Sequence, residues 1–128
     1  MTPPPPGLKI KLQLYCGSEI AMGPGKADLL EAIAGEGSIS AAGRALGMSY
    51  RRAWLLVDAM NRCWAQPLVA TSPGAPSGAG ARLTPFGADV VAGYRQLQRS
   101  AEQACAVEPG TWLIAGLRPA PLVHQRGG

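Results

Sequence analysis

Histidine is almost missing from this chain of 128 residues, which has only His124, near its C-terminal end. No nucleophile–base pair accompanies it, and no Cys, His, Asp and Glu stand at metal-ligand spacing. The sequence therefore predicts no catalytic residue, no bound metal, no cofactor and no enzyme. Cysteine is sparse and odd in number: Cys16, Cys63 and Cys105 lie far apart and form no CxxC pair. That excludes a disulfide framework or a zinc site and points to free or buried thiols in a reducing cytoplasm. Long apolar runs are missing too. The longest charge-free stretch, Cys63–Ala81, is broken by Pro67, Pro73 and Pro76, so it is no membrane span and no membrane partner is expected. Met1–Gly7 is a proline run without an apolar core, so no secretory signal is expected there. A phosphate-cradling GxxxxGK[ST] loop is also lacking.

What remains is the material of one small globular domain. Apolar residues make up 47% and charged residues 16%, too much of the first and too little of the second for disorder. The 17 glycines and 12 prolines cluster at residues 3–6, 73–80 and 109–128 instead of repeating, which excludes collagen. The expected organisation is a disordered proline-rich start over 1–7, a domain over 8–107, and a partly disordered tail over 108–128. Charge is distributed unevenly. Residues 1–43 carry three Lys against four acids, a net of −1, and residues 100–128 balance. Residues 44–99 carry seven Arg (44, 51, 52, 62, 82, 95 and 99) against Asp58 and Asp89, a net of +5. The excess is all arginine, whose planar fork suits phosphates and base edges.

Periodicity places the elements. Leu8–Cys16 alternates, with Leu8, Ile10, Leu12, Leu14 and Cys16 on one face and Lys9, Lys11, Gln13 and Tyr15 on the other, the signature of a strand with one wet face. Gly17-Ser18 turns it back into Glu19–Met22. A helix over Lys26–Ala34 buries Leu29, Leu30 and Ile33 and stops at Gly35 and Gly37. Ser38 caps a short helix whose stripe is Ile39, Ala42 and Leu46. Past Gly47-Met48, Ser49 caps a third helix running to about Trp64. Its stripe of Tyr50, Ala53, Trp54, Val57, Met60, Asn61 and Trp64 faces away from Arg51, Arg52, Leu55, Asp58 and Arg62. Two helices joined by a tight glycine-containing turn are the ingredients of a helix-turn-helix. Short strands around Leu68–Ala70 and Arg82–Thr84 flank a Ser/Gly/Ala/Pro loop and describe a wing. Thr84-Pro85 then starts a long helix to about Val107. The fold class expected is α+β, mostly α: a winged helix-turn-helix with an N-terminal β-hairpin and a long C-terminal helix.

GSISAAGRALGMSYRRAWLLVDAMN (Gly37–Asn61) resembles the N-terminal DNA-binding domain of the ModE family of molybdate-responsive regulators, and more broadly the LysR-type winged helix-turn-helix. The likeness extends upstream over LKIKLQL and GPGKADLLEAI. Downstream it takes in PLVATS, the glycine-rich loop, ARLTPFG and Tyr94-Arg95, so that it covers roughly residues 8–104. It implies a transcriptional regulator that binds double-stranded DNA as a homodimer through a recognition helix over 49–64 and a wing over 72–81. Two departures stand out. Pro76 occupies the place of the family's wing lysine, with Ala75 and Ala79 replacing glycines. No oxyanion-binding domains follow in this sequence, so molybdate sensing is not implied and any small-molecule effector is unknown.

The residues assigned to DNA are Ser49, Tyr50, Arg51, Arg52, Arg44, Arg82, Ser38 and Ser40. Arg51 and Arg52 are the sharpest candidates, because a helix start favours acidic side chains and two adjacent arginines there need a reason. Ser49 serves as cap and candidate phosphate donor, while Tyr50 is divided between core and phosphate. Arg44 and Arg82 either clamp phosphates or, in the case of Arg44, pair with an acid. Trp54 and Trp64 are assigned to the core, Arg95 and Arg99 to a solvated face. Phe86, Val90, Tyr94, Leu97 and Ala101 on the last helix are assigned to the dimer interface. Two other readings stay open: a protein-interaction module without DNA binding, and a small oxyanion-binding protein of molybdenum homeostasis.

Overall fold

A computed structural model describes residues 7–72 and 80–124. In chain order the elements are β1 (Leu14–Cys16), β2 (Glu19–Met22), α1 (Pro24–Glu36), α2 (Ile39–Ala45), α3 (Tyr50–Cys63), β3 (Val69–Ser72), β4 (Gly80–Leu83), α4 (Pro85–Gln103) and α5 (Gly110–Ala115), with a 3₁₀ turn at Ala104–Ala106. The chain divides into two compact units. One is Lys11–Leu97, and the other draws on residues 1–10 and 98–128.

The first hairpin is shorter than the alternation of Leu8–Cys16 predicts. Only Leu14–Cys16 pairs, antiparallel to Glu19–Met22, with a register irregularity between Leu14 and Tyr15. Period two fixes which face a strand wets but supplies no partner, and β2 is only four residues long. Gly17 makes the turn with φ +59, a conformation open to glycine at little cost.

Capping decides where the helices begin and end. Pro24 opens α1 at a position where its missing N–H is harmless, and Gly37, at φ +81, closes it by donating its N–H to the Ile33 carbonyl. Ser38 Oγ accepts from the Ala41 N–H at 3.0 Å and Ser49 Oγ from the Arg52 N–H at 3.1 Å, starting α2 and α3. Thr84 does the same for α4: its Oγ1 accepts from the Gly87 N–H at 2.9 Å while donating to the Pro67 carbonyl at 2.7 Å.

The core of the larger unit is built on Met22, Leu29, Leu30, Ile33, Met60 and Leu68, all fully buried. Gly43 of α2 lets α3 come close, since a Cβ there would stand 3.2 Å from the Ala53 Cβ. Tyr94 of α4 is buried and donates from its hydroxyl to the Leu12 carbonyl at 2.7 Å. Trp64 Nε1 donates to the Ala21 carbonyl at 3.0 Å, and its ring meets Phe86 edge-on at 6.3 Å. In the smaller unit α5 leaves Trp112, Leu113 and Leu117 exposed.

The architecture is a small α+β one with two separate two-stranded antiparallel sheets, β1–β2 and β3–β4. It corrects the winged helix-turn-helix expectation. β3 and β4 pair in register from Val69 with Leu83 to Ser72 with Gly80, but no third strand joins them among the described residues. Residues 73–79, which carry most of the expected wing, lie outside the described residues.

Candidate functional site

The arginines divide by partner. Arg62 is held by Asp58 at 3.0 Å and Glu19 at 3.5 Å, and the hydrogen bond to Asp58 is the chief cause of its raised pKa. Arg95, expected on a solvated face, instead reaches from α4 to Asp28 and Glu31 of α1, each at 2.6 Å. Its pKa is pushed up chiefly by the hydrogen bond to Glu31. Arg51 and Arg52 are exposed on the first turn of α3 and form no ion pair among the described residues. A helix start already carries partial positive charge, so this turn is a concentrated, uncompensated cationic face.

The structure gathers Ser49, Tyr50, Arg51 and Arg52 on that one turn. Ser49's oxygen is engaged in capping, and Tyr50 is 57% exposed, so the choice left open for it falls on the solvent side. On α2, Arg44 Nη1 donates to Ser40 Oγ at 3.0 Å, pairing with a hydroxyl instead of an acid, while the Ser38 hydroxyl caps the helix. Arg82 is exposed on β4, opposite Ala70 of β3. On α4, Leu97 is exposed, Phe86 and Val90 are half-buried against the core, and Tyr94 belongs to the interior of its own chain. Ala101 is half-buried on the last turns of that helix.

One side chain was misplaced by sequence reasoning. Trp54 is not in the core: it is 46% exposed, on the same side of α3 as Tyr50, four residues earlier. The residues of α3 that are buried are Ala53, Val57 and Met60, and Trp54 lies one position, about 100°, round the helix from Ala53. The i, i+4 spacing of Tyr50 and Trp54 was the available signal. Among the described residues no group of three or more His, Cys, Asp or Glu could hold a metal ion. Burial, with help from a hydrogen bond to Cys16, pushes the Cys63 thiol up, away from thiolate chemistry.

No family model matches the chain. It is 47% identical over 77 residues to the molybdenum-pterin-binding protein MopB of Rhodobacter capsulatus, a match covering 60% of this chain and 28% of that protein. Over 82 residues it is 42% identical to MopA of the same organism, covering 64% of this chain and 31% of that protein. Over 96 residues it is 32% identical to the DNA-binding transcriptional dual regulator ModE of Escherichia coli K12, covering 75% of this chain and 37% of that protein. The chain therefore spans about a third of the length of the curated relatives it matches.

The chain is related to molybdenum-binding and molybdenum-regulatory proteins. These matches overturn the narrower assignment drawn from Gly37–Asn61: two of the relatives are named for binding molybdenum-pterin, and kinship with such proteins is not evidence of an N-terminal DNA-binding domain of LysR-type winged-helix design. No helix of the described residues is long and apolar enough to cross a membrane.

Proposed function

We propose that this chain serves molybdenum homeostasis by binding an oxyanion, without catalysing a reaction. The observation that carries the reading is the likeness, over 60% of the chain, to a protein named for binding molybdenum-pterin. Its chemistry agrees. Molybdenum travels in water as a tetrahedral dianion, and the acceptors of such an ion need cationic donors that no carboxylate has already claimed. Five of the seven arginines between residues 44 and 99, namely 44, 51, 52, 82 and 99, form no ion pair among the described residues. Three free thiols suit a reducing cytoplasm. The test is equilibrium dialysis of the full chain against sodium molybdate, with metal read by mass spectrometry. Saturable retention is expected, and retention no greater than that of a protein-free compartment overturns the reading.

A second reading is favoured by one specific observation: the exposed, unpaired Arg51 and Arg52 at the start of a 14-residue helix. Such a turn can lay guanidinium forks against the phosphates and base edges of duplex DNA, and a homodimer would present two of them. One relative is itself named as DNA-binding. In a gel-shift titration the Arg51→Ala/Arg52→Ala double variant should lose DNA affinity, and unchanged affinity at moderate salt removes this reading.

A further inference from the structure

Apart from the α3 face described above, the larger unit carries a cleft of about 180 Å³ whose polar wall is cationic. Lys11, Lys26 and Arg52 line it together with Gln13, and no acidic residue does. The three cations come from separate parts of the chain: the segment before β1, the first turn of α1 and the first turn of α3. None forms an ion pair among the described residues. Three cationic side chains lining one concave surface with no acidic residue in its wall repel one another, and the cost falls when an anion sits among them.

The backbone adds to this. The cleft takes in Gly23, Pro24 and Gly25, where α1 begins with no side-chain cap and no acid in its first turn. The N–H groups of Gly25 and Lys26 have no carbonyl four residues back within the helix. A Cβ at Gly25 would meet nothing within 4 Å, so the space beside those amides is open. Met48 and Leu56 supply apolar wall. A tetrahedral oxyanion offers four acceptor oxygens, and ammonium, guanidinium, carboxamide and amide donors from three directions match that geometry better than they match a planar carboxylate.

We propose that this cleft is a binding site for a tetrahedral oxyanion, with Lys26 and Lys11 as its charge and Arg52 as its fork. The inference rests on the oxyanion reading and gives it an address. Molybdate, inorganic phosphate and a phosphate of a nucleic-acid backbone share the chemistry, so the test has one arm for each. The full chain is titrated calorimetrically with sodium molybdate and with inorganic phosphate at fixed ionic strength, and by gel shift with duplex DNA. The variants are Lys26→Ala, Lys11→Ala and, as a control for loss of one positive charge outside the cleft lining, Lys9→Ala.

Lys26→Ala should weaken the bound anion about tenfold, the loss of one charge-assisted contact, while Lys9→Ala changes it less than about twofold. If phosphate binds with this pattern and molybdate does not, the cleft stands and the molybdenum reading falls. If only duplex DNA shows the pattern, the cleft stands as a backbone-phosphate contact. If molybdate binds and all three variants bind it as the parent does, or if Lys9→Ala costs as much as Lys26→Ala, the cleft is wrong and the molybdenum reading survives. Absence of binding in every arm overturns the cleft.

Discussion

Asn61 anchors the start of β3 with both ends of its carboxamide. Its Oδ1 accepts from the Leu68 N–H at 2.8 Å and the Val69 N–H at 3.1 Å, while its Nδ2 donates to the Val69 carbonyl at 3.1 Å. Leu68 and Val69 are buried, so water cannot replace these partners cheaply. Asn61→Leu, similar in size but apolar, should cost about 2–4 kcal/mol, read as a lower urea midpoint. Asn61→Asp keeps the acceptor and loses the donor, and should cost less. Tyr94 acts at the same scale across a longer span of chain. Burial raises its pKa, because the phenolate would form away from water. A folded-state pKa above the unfolded one means the associated stability is complete below about pH 10 and is lost as pH rises through the folded value. Tyr94→Phe removes the bond to Leu12, should cost about 1 kcal/mol at neutral pH, and should fall off less steeply in alkaline denaturation. A variant as steep as the parent would assign the alkaline loss to another group.

Capping made most elements legible. Ser38, Ser49 and Thr84-Pro85 are polar or proline signals whose chemistry is local, and α2, α3 and α4 begin where those residues place them. What depends on distant partners was not legible. Leu8–Gln13 alternates like a strand yet pairs with no strand among the described residues, and Arg95 finds its acids more than sixty residues away. Trp54 shows the same limit within the candidate site, since a stripe drawn one residue too wide turns an exposed indole into a buried one. Arg51 and Arg52 were legible because nearby sequence offers them no acid at helical spacing except Asp58, which Arg62 takes. The joint between α2 and α3 depends on two glycines. Gly47 sits at φ +72, and a Cβ at Gly43 would stand 3.2 Å from the Ala53 Cβ and 3.3 Å from the Met48 carbonyl oxygen. Gly47→Ala should cost about 1 kcal/mol through backbone strain alone. Gly43→Val should cost more, because Ala53 and a backbone carbonyl must both give way, and thermal melts would rank the two. Equal melting temperatures would mean that α2 moves without penalty.

At the scale of the whole molecule, the question is whether the arginine excess meets a long polyanion or a small one, and salt separates the two. A duplex releases condensed counterions in proportion to the phosphates neutralised, so the logarithm of affinity falls steeply with the logarithm of salt, about 0.9 per contact. A free oxyanion has no condensed atmosphere, and its binding responds only through ordinary screening over about 10 Å at 0.1 M salt. The likeness of this chain to longer relatives reaches about a third of their length, and binding properties reside in particular sites instead of spreading evenly over a fold. Measurement on this chain itself is therefore what decides. If Arg51 and Arg52 each touch a DNA phosphate, the double alanine variant should flatten the salt slope by about 2. If one of them reads a base instead, the slope should change by about 1 while the loss of affinity depends on sequence. A slope that does not move on removing both charges would take α3 out of any polyanion contact, leaving Lys26 at the head of α1 and Lys11 before β1 as the cations to account for anion binding.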